Sequence, residues 1–142
     1  AFGCAQLNKF NSLYEKRVAN FHYLKKLIEN QLSDYIISPL QKQNVETIWL
    51  AYPLILKNIN PCKSRNALQI FLEERNIQTR PIFSGNITKQ PMMKNNKFIH
   101  NKNGYQNTDF IMKNGMLIGC HPKLSFSDLD YICELLEEFF NA

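Results

Sequence analysis

The side chains best suited to chemistry lie close together in the middle of the sequence. Arg80 follows Thr79 in a segment that resembles a strand, Ser84 and Asn86 flank a glycine, and Lys89 comes soon after. An arginine, a turn that glycine permits and a nearby lysine can together bind an anion such as a phosphate or a carboxylate. On residue types alone, a surface salt bridge beside a solvated turn explains them better.

The three histidines differ in their surroundings. His22 is off the apolar stripe of the first predicted helix and His100 is in a polar segment, so both are expected to be solvated. His121 ends a short apolar segment at a Gly-Cys-His-Pro turn, where side chains often face a cleft. A structural role and a role at a site are about equally supported for His121. The chain contains no HExxH, GxSxG, P-loop or GxGxxG pattern.

Length and composition predict a single globular domain. The chain has 142 residues, 44% hydrophobic and 20% charged, with no apolar run of membrane-spanning length and no signal-peptide pattern. These features favour a cytosolic protein. The helical pattern is already running at Ala1 without a capping residue, so we expect the chain to be a piece of a longer protein.

The four cysteines predict neither a disulfide framework nor a metal site. Cys4, Cys62, Cys120 and Cys133 are scattered, and no pair has CxxC spacing. We expect all four to be reduced thiols.

The net charge of +5 is unevenly distributed along the chain. Residues 84–124 carry 6 basic groups and 1 acidic group, whereas residues 125–142 carry 0 and 5. Of the 17 basic residues 13 are lysine, and aromatic residues are not interleaved with arginine as in a nucleic-acid-binding surface. The distribution therefore argues against nucleic acid as a partner.

The first half of the chain predicts a long helix followed by short elements. Apolar residues spaced three and four apart indicate one amphipathic helix over residues 1–31, whose first turns either project or lie across a neighbouring domain. A loop or short strand is expected around Tyr35–Ile37. The segment Ile48–Leu56 predicts a strand, in which Pro53 indicates an edge or bulge position. A turn is expected at Asn58–Pro61.

Capping residues locate the next helix. Ser64 is a predicted N-cap for a helix over Arg65–Arg75, and Asn76 can adopt the left-handed conformation that ends it. A strand is predicted at Ile77–Phe83. Residues 84–107 lack an apolar period, and a loop of this length in a compact domain is typically functional or disordered.

The last third predicts a short helix, a strand and a final helix. Asn107–Asp109 offers an N-cap for a helix reaching Lys113, and Gly115 would end it. Met116–Cys120 is a predicted buried strand. Ser125–Asp128 is a predicted capping box for the closing amphipathic helix.

The order of these elements predicts an α/β fold. We expect an α/β layer over residues 33–142, consisting of a small, mainly antiparallel sheet of three or four strands with helices on one side. The long helix 1–31 precedes this layer, and the whole of residues 1–142 forms one small domain.

Seven motifs, in order over about 135 residues, resemble the carboxy-terminal part of the sugar aminotransferase/dehydrase family dependent on pyridoxal phosphate (PLP), also called the DegT/DnrJ/EryC1/StrS type. They are Ala5-Gln6-Leu7 with Glu15-Lys16-Arg17, Trp49-x-x-Tyr52-Pro53, Leu72–Arg80, Phe83–Pro91, Asn107-Thr108-Asp109 with Ile111-Met112, Ile118-Gly119 with Pro122 and Leu124, and Leu129-Asp130-Tyr131. The Gly-Asn-Ile-Thr-Lys-Gln-Pro run is most similar to the subgroup of 3-dehydrases acting on CDP-4-keto-6-deoxyglucose.

The resemblance implies a fold type I aminotransferase carboxy-terminal domain that closes one side of an active site, usually within a homodimer. Such enzymes act on nucleotide sugars, here a CDP-linked keto-deoxyhexose, in deoxysugar and lipopolysaccharide O-antigen biosynthesis, and a reductase is a possible partner. A large domain upstream would carry PLP or pyridoxamine phosphate (PMP), the lysine or histidine base, and the cysteines of an iron–sulfur cluster where the subgroup has one. It follows that this chain contains no catalytic residue, and alone it is expected to be inactive.

The resemblance also implies substrate- and cofactor-binding residues. Arg80 is expected to contact an anion or the substrate, Ser84 and Asn86 to hydrogen-bond the sugar or cofactor, Lys89 to face the nucleotide phosphates, and His121 to line the cleft. Relatives often have arginine at the position of Lys89, so the charge is kept but the bidentate geometry is lost.

Two alternatives stay open on the sequence. The chain could belong to a sugar aminotransferase of the same family, since the residue that separates the two activities lies upstream. It could instead be a basic binding module with no enzymatic role.

Overall fold

The described residues form a four-stranded sheet and five helices. The computed structural model describes residues 2–57, 61–97, 99 and 101–142, so residues 58–60 of the predicted turn and His100 lie outside it. In chain order the elements are α1 (Phe2–Leu7), α2 (Phe10–Gln31), β1 (Ile36–Ile37), β2 (Ala51–Leu56), α3 (Arg65–Glu73), β3 (Thr79–Pro81), α4 (Gln106–Asn114), β4 (Gly115–Gly119) and α5 (Phe126–Asn141). Two 3-10 turns, Ile87–Lys89 and Pro91–Met93, lie between β3 and α4.

The sheet has the order β1-β2-β4-β3, and every neighbouring pair is antiparallel. Tyr52 pairs with Ile118, and Ile118 pairs in turn with Thr79. All three side chains are buried, because residues paired across neighbouring strands face the same side of the sheet. The small antiparallel α/β layer expected from the sequence is confirmed.

The core lies between the inner face of the sheet and the helices α2, α3 and α5. Each helix contributes its apolar stripe, as the three- and four-residue spacing predicted. The largest fully buried core side chains are Tyr52, Leu24, Ile28, Leu32, Leu54, Leu56, Leu68, Leu72, Met116, Ile118, Leu129 and Leu136.

Two prolines explain why β1 has only two residues. Ile37 pairs with Ile55, and extending that register would place Pro39 opposite Pro53. The Lys57 N–H donates to the Tyr35 carbonyl at 2.8 Å, so the backbone nitrogens of alternate residues, including Pro53, face the β1 side. A proline has no N–H to donate, and the ladder ends there. In the strand order β2 lies between β1 and β4. At Pro53, however, no residue of β1 pairs with it, so this position is the edge position that the sequence indicated.

The predicted single helix over residues 1–31 is interrupted. A turn at Asn8 and Lys9 separates α1 from α2, and the Lys9 N–H donates to the Gln6 carbonyl at 3.0 Å. Leu7 is 70% exposed and Phe10 48% exposed, so no buried apolar contact of theirs holds the first turns in line. Short helices are marginal without such packing, which accounts for the break.

Local capping signals are confirmed at two helices. The Ser64 hydroxyl accepts from the Ala67 N–H at 3.3 Å, and Asn76 has φ +63° at the end of α3. At α5 the Ser125 hydroxyl accepts from the Asp128 N–H, while the Asp128 carboxylate accepts from the Ser125 N–H at 2.7 Å. These two bonds form the predicted capping box.

The predicted start of α4 is wrong. The helix begins at Gln106 after Tyr105, which makes no side-chain capping bond, rather than after a cap within Asn107–Asp109. The Asp109 carboxylate is instead bound by two side chains of the preceding loop. The predicted end at Gly115 is confirmed, and β4 follows at once. A Cβ at Gly115 would lie 2.7 Å from the Ile111 carbonyl, so glycine permits this close passage from helix to strand.

Candidate functional site

Arg80 and His121 line one cavity of about 350 Å³ at the ends of β3 and β4. β3 and β4 are adjacent and antiparallel, so the start of β3 lies beside the end of β4. The cavity has an apolar floor that includes Ala51, Leu117 and Leu124. Its polar lining consists of Asn76, Gln78, Arg80 and His121. An apolar pocket with a few such side chains has the usual composition of a small-molecule site.

The sheet register directs the Arg80 side chain away from the core. Arg80 pairs with Leu117 and is exposed, whereas the preceding Thr79 is 2% exposed. The Thr79 hydroxyl donates to Glu73 Oε1 at 2.6 Å and accepts from Gln69 Nε2 at 3.2 Å. Thr79 therefore fixes β3 to α3. Arg80, one residue later, lines the cavity, and its Nη1 donates to the Thr79 carbonyl at 3.1 Å.

The turn after β4 fixes the orientation of the His121 ring. Its Nδ1 accepts from the Lys123 N–H at 3.1 Å, and its carbonyl accepts from the Asn20 amide at 2.8 Å. An imidazole that accepts at Nδ1 carries its proton at Nε2 when neutral. The exposed His121 ring thus offers a donor to a molecule in the cavity.

Asn86, Lys89 and Asp109 form a second cluster. The Asn86 amide donates to Asp109 Oδ1 at 2.6 Å, and Lys89 Nζ lies 2.8 Å from Asp109 Oδ2. Asn86 Oδ1 accepts from the Thr88 hydroxyl at 2.7 Å and from the Thr88 N–H at 3.0 Å. Asn86 is only 2% exposed, so its side chain is engaged within the protein.

Asp109 is the member of this cluster that sequence reasoning missed as a site residue. The ammonium of Lys89, followed by the amide of Asn86, stabilises the ionised carboxylate and lowers the pKa of Asp109. Asp109 is the single acidic residue of segment 84–124, which was the available signal. Its partners lie in a loop distant in sequence, and no local spacing reveals that pairing.

Ser84 lies in a strained turn between these two groups. Phe83 has φ +45° and Gly85 has φ +65°, so two of three successive residues adopt the left-handed conformation. The Ser84 side chain is exposed, and its carbonyl accepts from Gln90 Nε2 at 2.6 Å. Together with Met112, Ser84 lines a hollow of about 210 Å³. The five predicted site residues are thus distributed over three neighbouring features.

A larger hollow of about 580 Å³ lies elsewhere, between α2 and the start of α5. It contains none of the predicted residues. The Asn20 amide on its wall already donates to the carbonyls of His121 and Leu124, at 2.8 and 3.1 Å. The Asn20 side chain therefore has a structural role, which is to hold the turn between β4 and α5.

The comparisons with known proteins identify the family and the fold of the chain. The model of the DegT/DnrJ/EryC1/StrS aminotransferase family matches residues 1–137. The chain belongs to this family. The match covers nearly all of the described elements, and it includes both the Arg80 cavity and the Asp109 cluster.

Individual relatives of the family are lipopolysaccharide and nucleotide-sugar proteins. The chain is 35% identical over 140 residues to the lipopolysaccharide biosynthesis protein RfbH of Salmonella typhimurium, covering 99% of this chain and 31% of that protein. It is 33% identical over 123 residues to GDP-4-keto-6-deoxy-D-mannose 3-dehydratase of Yersinia pseudotuberculosis, covering 85% and 30%. The chain therefore spans about a third of the length of these curated relatives.

Solved structures of the family have the same fold. The Escherichia coli GDP-4-keto-6-deoxy-D-mannose 3-dehydratase with bound hydrated PLP superposes with a TM-score of 0.80 and 27% identity, covering 94% of this chain and 33% of that one. A putative sugar aminotransferase of Streptococcus pneumoniae in its PMP form superposes with a TM-score of 0.82 at 19% identity, covering 98% and 33%. The fold type I expectation is thereby confirmed.

The described residues do not form a complete PLP site. A PLP enzyme places a carboxylate or arginine at the pyridine nitrogen and a base beside the reacting carbon. The cavity has Arg80, which could meet the pyridine nitrogen, but its lining includes neither a lysine to serve as the base nor a carboxylate. In the second cluster, Lys89 and Asp109 are paired with each other. Most contacts to such a cofactor would therefore have to come from outside the described residues.

Over residues 2–57, 61–97, 99 and 101–142, no group of three or more histidine, cysteine or acidic side chains is arranged to hold a metal ion. Within the same part of the chain, no helix is both long and apolar enough to cross a bilayer.

Proposed function

We propose that this chain is the carboxy-terminal domain of a PLP- or PMP-dependent nucleotide-sugar 3-dehydratase of deoxysugar and lipopolysaccharide biosynthesis. One observation carries the proposal: 94% of the chain superposes on a solved 3-dehydratase with a TM-score of 0.80 at 27% identity. The 35% identity to a lipopolysaccharide biosynthesis protein supports the same conclusion.

The substrate would be a nucleoside-diphosphate 4-keto-6-deoxyhexose. The names of the relatives specify GDP-linked and dTDP-linked sugars, and the Gly-Asn-Ile-Thr-Lys-Gln-Pro run resembles enzymes using a CDP-linked sugar. The three nucleotides share a diphosphate and differ in the base, and dTDP also has deoxyribose in place of ribose. The proposal therefore commits to the class of sugar and to the diphosphate.

The role of this domain would be to bind the substrate. The Arg80 guanidinium and the His121 Nε2 donor would bind oxygens of the sugar or a phosphate in the cavity that they share. Lys89 Nζ, 57% exposed at its side chain, would face the diphosphate, and the Ser84 hydroxyl would bond the sugar or the cofactor. Asn86 would contribute by shaping the turn, because its amide is already bonded within the protein.

The cofactor, when bound, supplies the electron sink for loss of the 3-hydroxyl group. The Arg80 and His121 cavity would form one wall of the enclosure that excludes water and orients the sugar. An iron–sulfur cluster, where the enzyme has one, would take its ligands from outside the described residues.

A sugar aminotransferase is the alternative within the family. The aminotransferase neighbour at a TM-score of 0.82 is only 19% identical, so it bears on the fold alone. The 3-dehydratase relatives are 25% to 33% identical, which favours the dehydratase. A basic binding module without activity would leave the match to an enzyme family over residues 1–137 unexplained.

The decisive experiment uses the full-length gene product with PMP, an external two-electron reductant, and CDP-, GDP- or dTDP-linked 4-keto-6-deoxyhexose. Replacing the 3-hydroxyl group by hydrogen needs two electrons, which come from PMP or from that reductant. Mass spectrometry should detect a product that lacks the 3-hydroxyl oxygen. A 4-amino sugar would identify an aminotransferase, and no conversion of any of the three would reject the proposal.

The assembly and location of the enzyme complete the proposal. We infer a cytoplasmic homodimer that passes its product to a reductase. Light scattering of the full-length protein would measure the oligomeric state, and a monomer at micromolar concentration would contradict the dimer.

A further inference from the structure

Asp109 joins two residues that the proposed function needs in place. Its two carboxylate oxygens bind different side chains of the preceding loop, Oδ1 the Asn86 amide and Oδ2 the Lys89 ammonium. Asp109 is the single acidic residue of segment 84–124, which contains six lysines. It is paired with Lys89, the lysine that would face the diphosphate. General charge balance does not explain why Asp109 pairs with this lysine and not with another of the six.

Stability is a weak reason for the Lys89–Asp109 pair. The side chains are 57% and 36% exposed, and exposed ion pairs contribute little to the free energy of unfolding. The exposure has another consequence. An ammonium has three donors, so Lys89 can bond Asp109 and still offer donors to an anion from solvent.

α4 anchors the same loop at a second point. The Asn86 N–H donates to Met112 Sδ at 3.3 Å, and a Cβ at Gly85 would lie 2.4 Å from Met112 Cγ. Asp109 and Met112 are three residues apart on α4, so they are on one side of the helix. The turn that carries Lys89 is thus seated on α4 through both residues.

We propose that Asp109 is a positioning residue of the nucleotide-sugar site, holding the turn through Asn86 and aiming the Lys89 ammonium at the diphosphate. The inference rests on the proposed function, because it takes Lys89 as a phosphate contact. A free lysine side chain loses considerable rotamer entropy when it is fixed on a ligand. Asp109 restricts Lys89 before the ligand arrives, so less entropy is lost on binding.

The sign of one mutational effect separates this role from simple charge competition. If Asp109 were only a counter-ion of Lys89, neutralising it would remove a negative charge near the diphosphate and tighten binding. If Asp109 positions Lys89, neutralising it weakens binding although the site becomes more positive. Asp109→Asn makes that change and retains an oxygen that can accept from the Asn86 amide.

The test measures dissociation constants of CDP, GDP and dTDP for the full-length enzyme by calorimetry. Asp109→Asn is expected to raise the dissociation constant of the tightest nucleotide about threefold or more, and Lys89→Gln about tenfold. In the Lys89→Gln background, Asp109→Asn should no longer weaken binding. KM for the sugar substrate should rise in Asp109→Asn while kcat changes less. Thr108→Val, at an exposed neighbour on α4, is the matched control for damage to the helix.

Each of the other outcomes contradicts either the positioning role of Asp109 or the proposed function. Tighter or unchanged nucleotide binding in Asp109→Asn overturns the positioning role. An equal loss of affinity on Asp109→Asn in the wild-type and Lys89→Gln backgrounds overturns it as well. Unchanged binding in Lys89→Gln, with an active wild-type enzyme, overturns it too but spares the proposed function. A wild-type enzyme that neither binds the nucleotides nor dehydrates the sugars fails the proposed function itself. If Asp109→Asn does not fold, Asp109→Glu, which keeps the charge but moves the carboxylate, should weaken binding, and unchanged binding there overturns the role.

Discussion

Thr79 and Arg80 are adjacent in β3, yet their side chains face opposite sides of the sheet. Thr79 pairs with Ile118 on the buried face, and Arg80 pairs with Leu117 on the other. One residue therefore serves the core while its neighbour is available to a ligand. Substitutions at the two positions should separate stability from binding.

Arg80→Gln should impair the enzyme without unfolding the domain. The side chain is exposed, so its loss should change the free energy of unfolding by no more than about 0.5 kcal/mol. If Arg80 binds the proposed nucleotide-sugar substrate, turnover by the full-length enzyme should fall about tenfold or more, because charge-assisted bonds are lost. Arg80→Lys keeps the charge and should retain an intermediate activity. Unchanged kcat/KM in both variants would remove Arg80 from the site.

Thr79→Val should show the opposite pattern. It removes the hydroxyl that bonds Glu73 and Gln69, which should lower the free energy of unfolding by about 1 kcal/mol. Urea denaturation of the chain would measure the change. The exposed Thr108→Val is the control and should have almost no effect. Equal changes in the two variants would mean that the buried bonds do not contribute.

Gly85→Ala and Gly104→Ala form a matched pair. Both glycines have positive φ, +65° and +72°, but a Cβ at Gly85 would meet Met112 whereas none of the described atoms lies within 4 Å at Gly104. Gly104→Ala should cost about 1 kcal/mol for the left-handed backbone alone. Gly85→Ala should cost about 1–3 kcal/mol more, because Met112 must also move. The difference in melting temperature between the two variants is the measurement, and identical values would contradict the close packing.

Stability should decrease in acid partly through Asp128. The Ser125 hydroxyl and backbone N–H bond the ionised carboxylate and lower the pKa of Asp128. A carboxyl whose pKa is lower when folded stabilises the fold above its unfolded value of about 3.9, and the contribution is lost as pH falls through the folded pKa. Asp128→Asn should therefore flatten the pH dependence of the unfolding free energy below about pH 5. The exposed Asp34→Asn is the control, and parallel curves for Asp128→Asn and wild type would refute the expectation.

The four cysteines should fall into two reactivity classes. Cys4 and Cys62 are exposed, whereas Cys120 and Cys133 are buried. Burial raises the pKa of the Cys133 thiol to about 12 and also raises that of Cys120, and the thiol form is a poor nucleophile. An aromatic disulfide reagent at pH 8 should label Cys4 and Cys62 rapidly and the other two only in denaturant. Four equally fast thiols in the folded chain would contradict the buried positions.

Sequence reasoning succeeded where a few neighbouring residues decide the structure. The Ser125 capping box, the Ser64 cap and the left-handed Asn76 are each set by contacts within a turn of helix. The break at Asn8 and Lys9 could not be predicted in that way, because the apolar spacing continues through it. Only the exposure of the first turns in the folded molecule explains it.

The candidate site was predictable in its residue types but not in its grouping. Arg80 and His121 share a cavity because β3 and β4 are adjacent, which is a long-range property. Lys89 and Asp109 pair because the loop folds back on α4. Periodicity and capping rules describe single elements, so neither pairing follows from them.

The two prolines that end the β1 ladder also affect how this molecule meets its own copies. A sheet edge with unpaired backbone donors can recruit a strand from another chain and begin aggregation. Along the part of β2 beyond β1, Pro53 has no donor to offer on that side, and Pro39, two residues after the end of β1, has none either. At high concentration the open edge is thus a poor template for intermolecular strand pairing, and the short β1 protects the sheet as well as completing it.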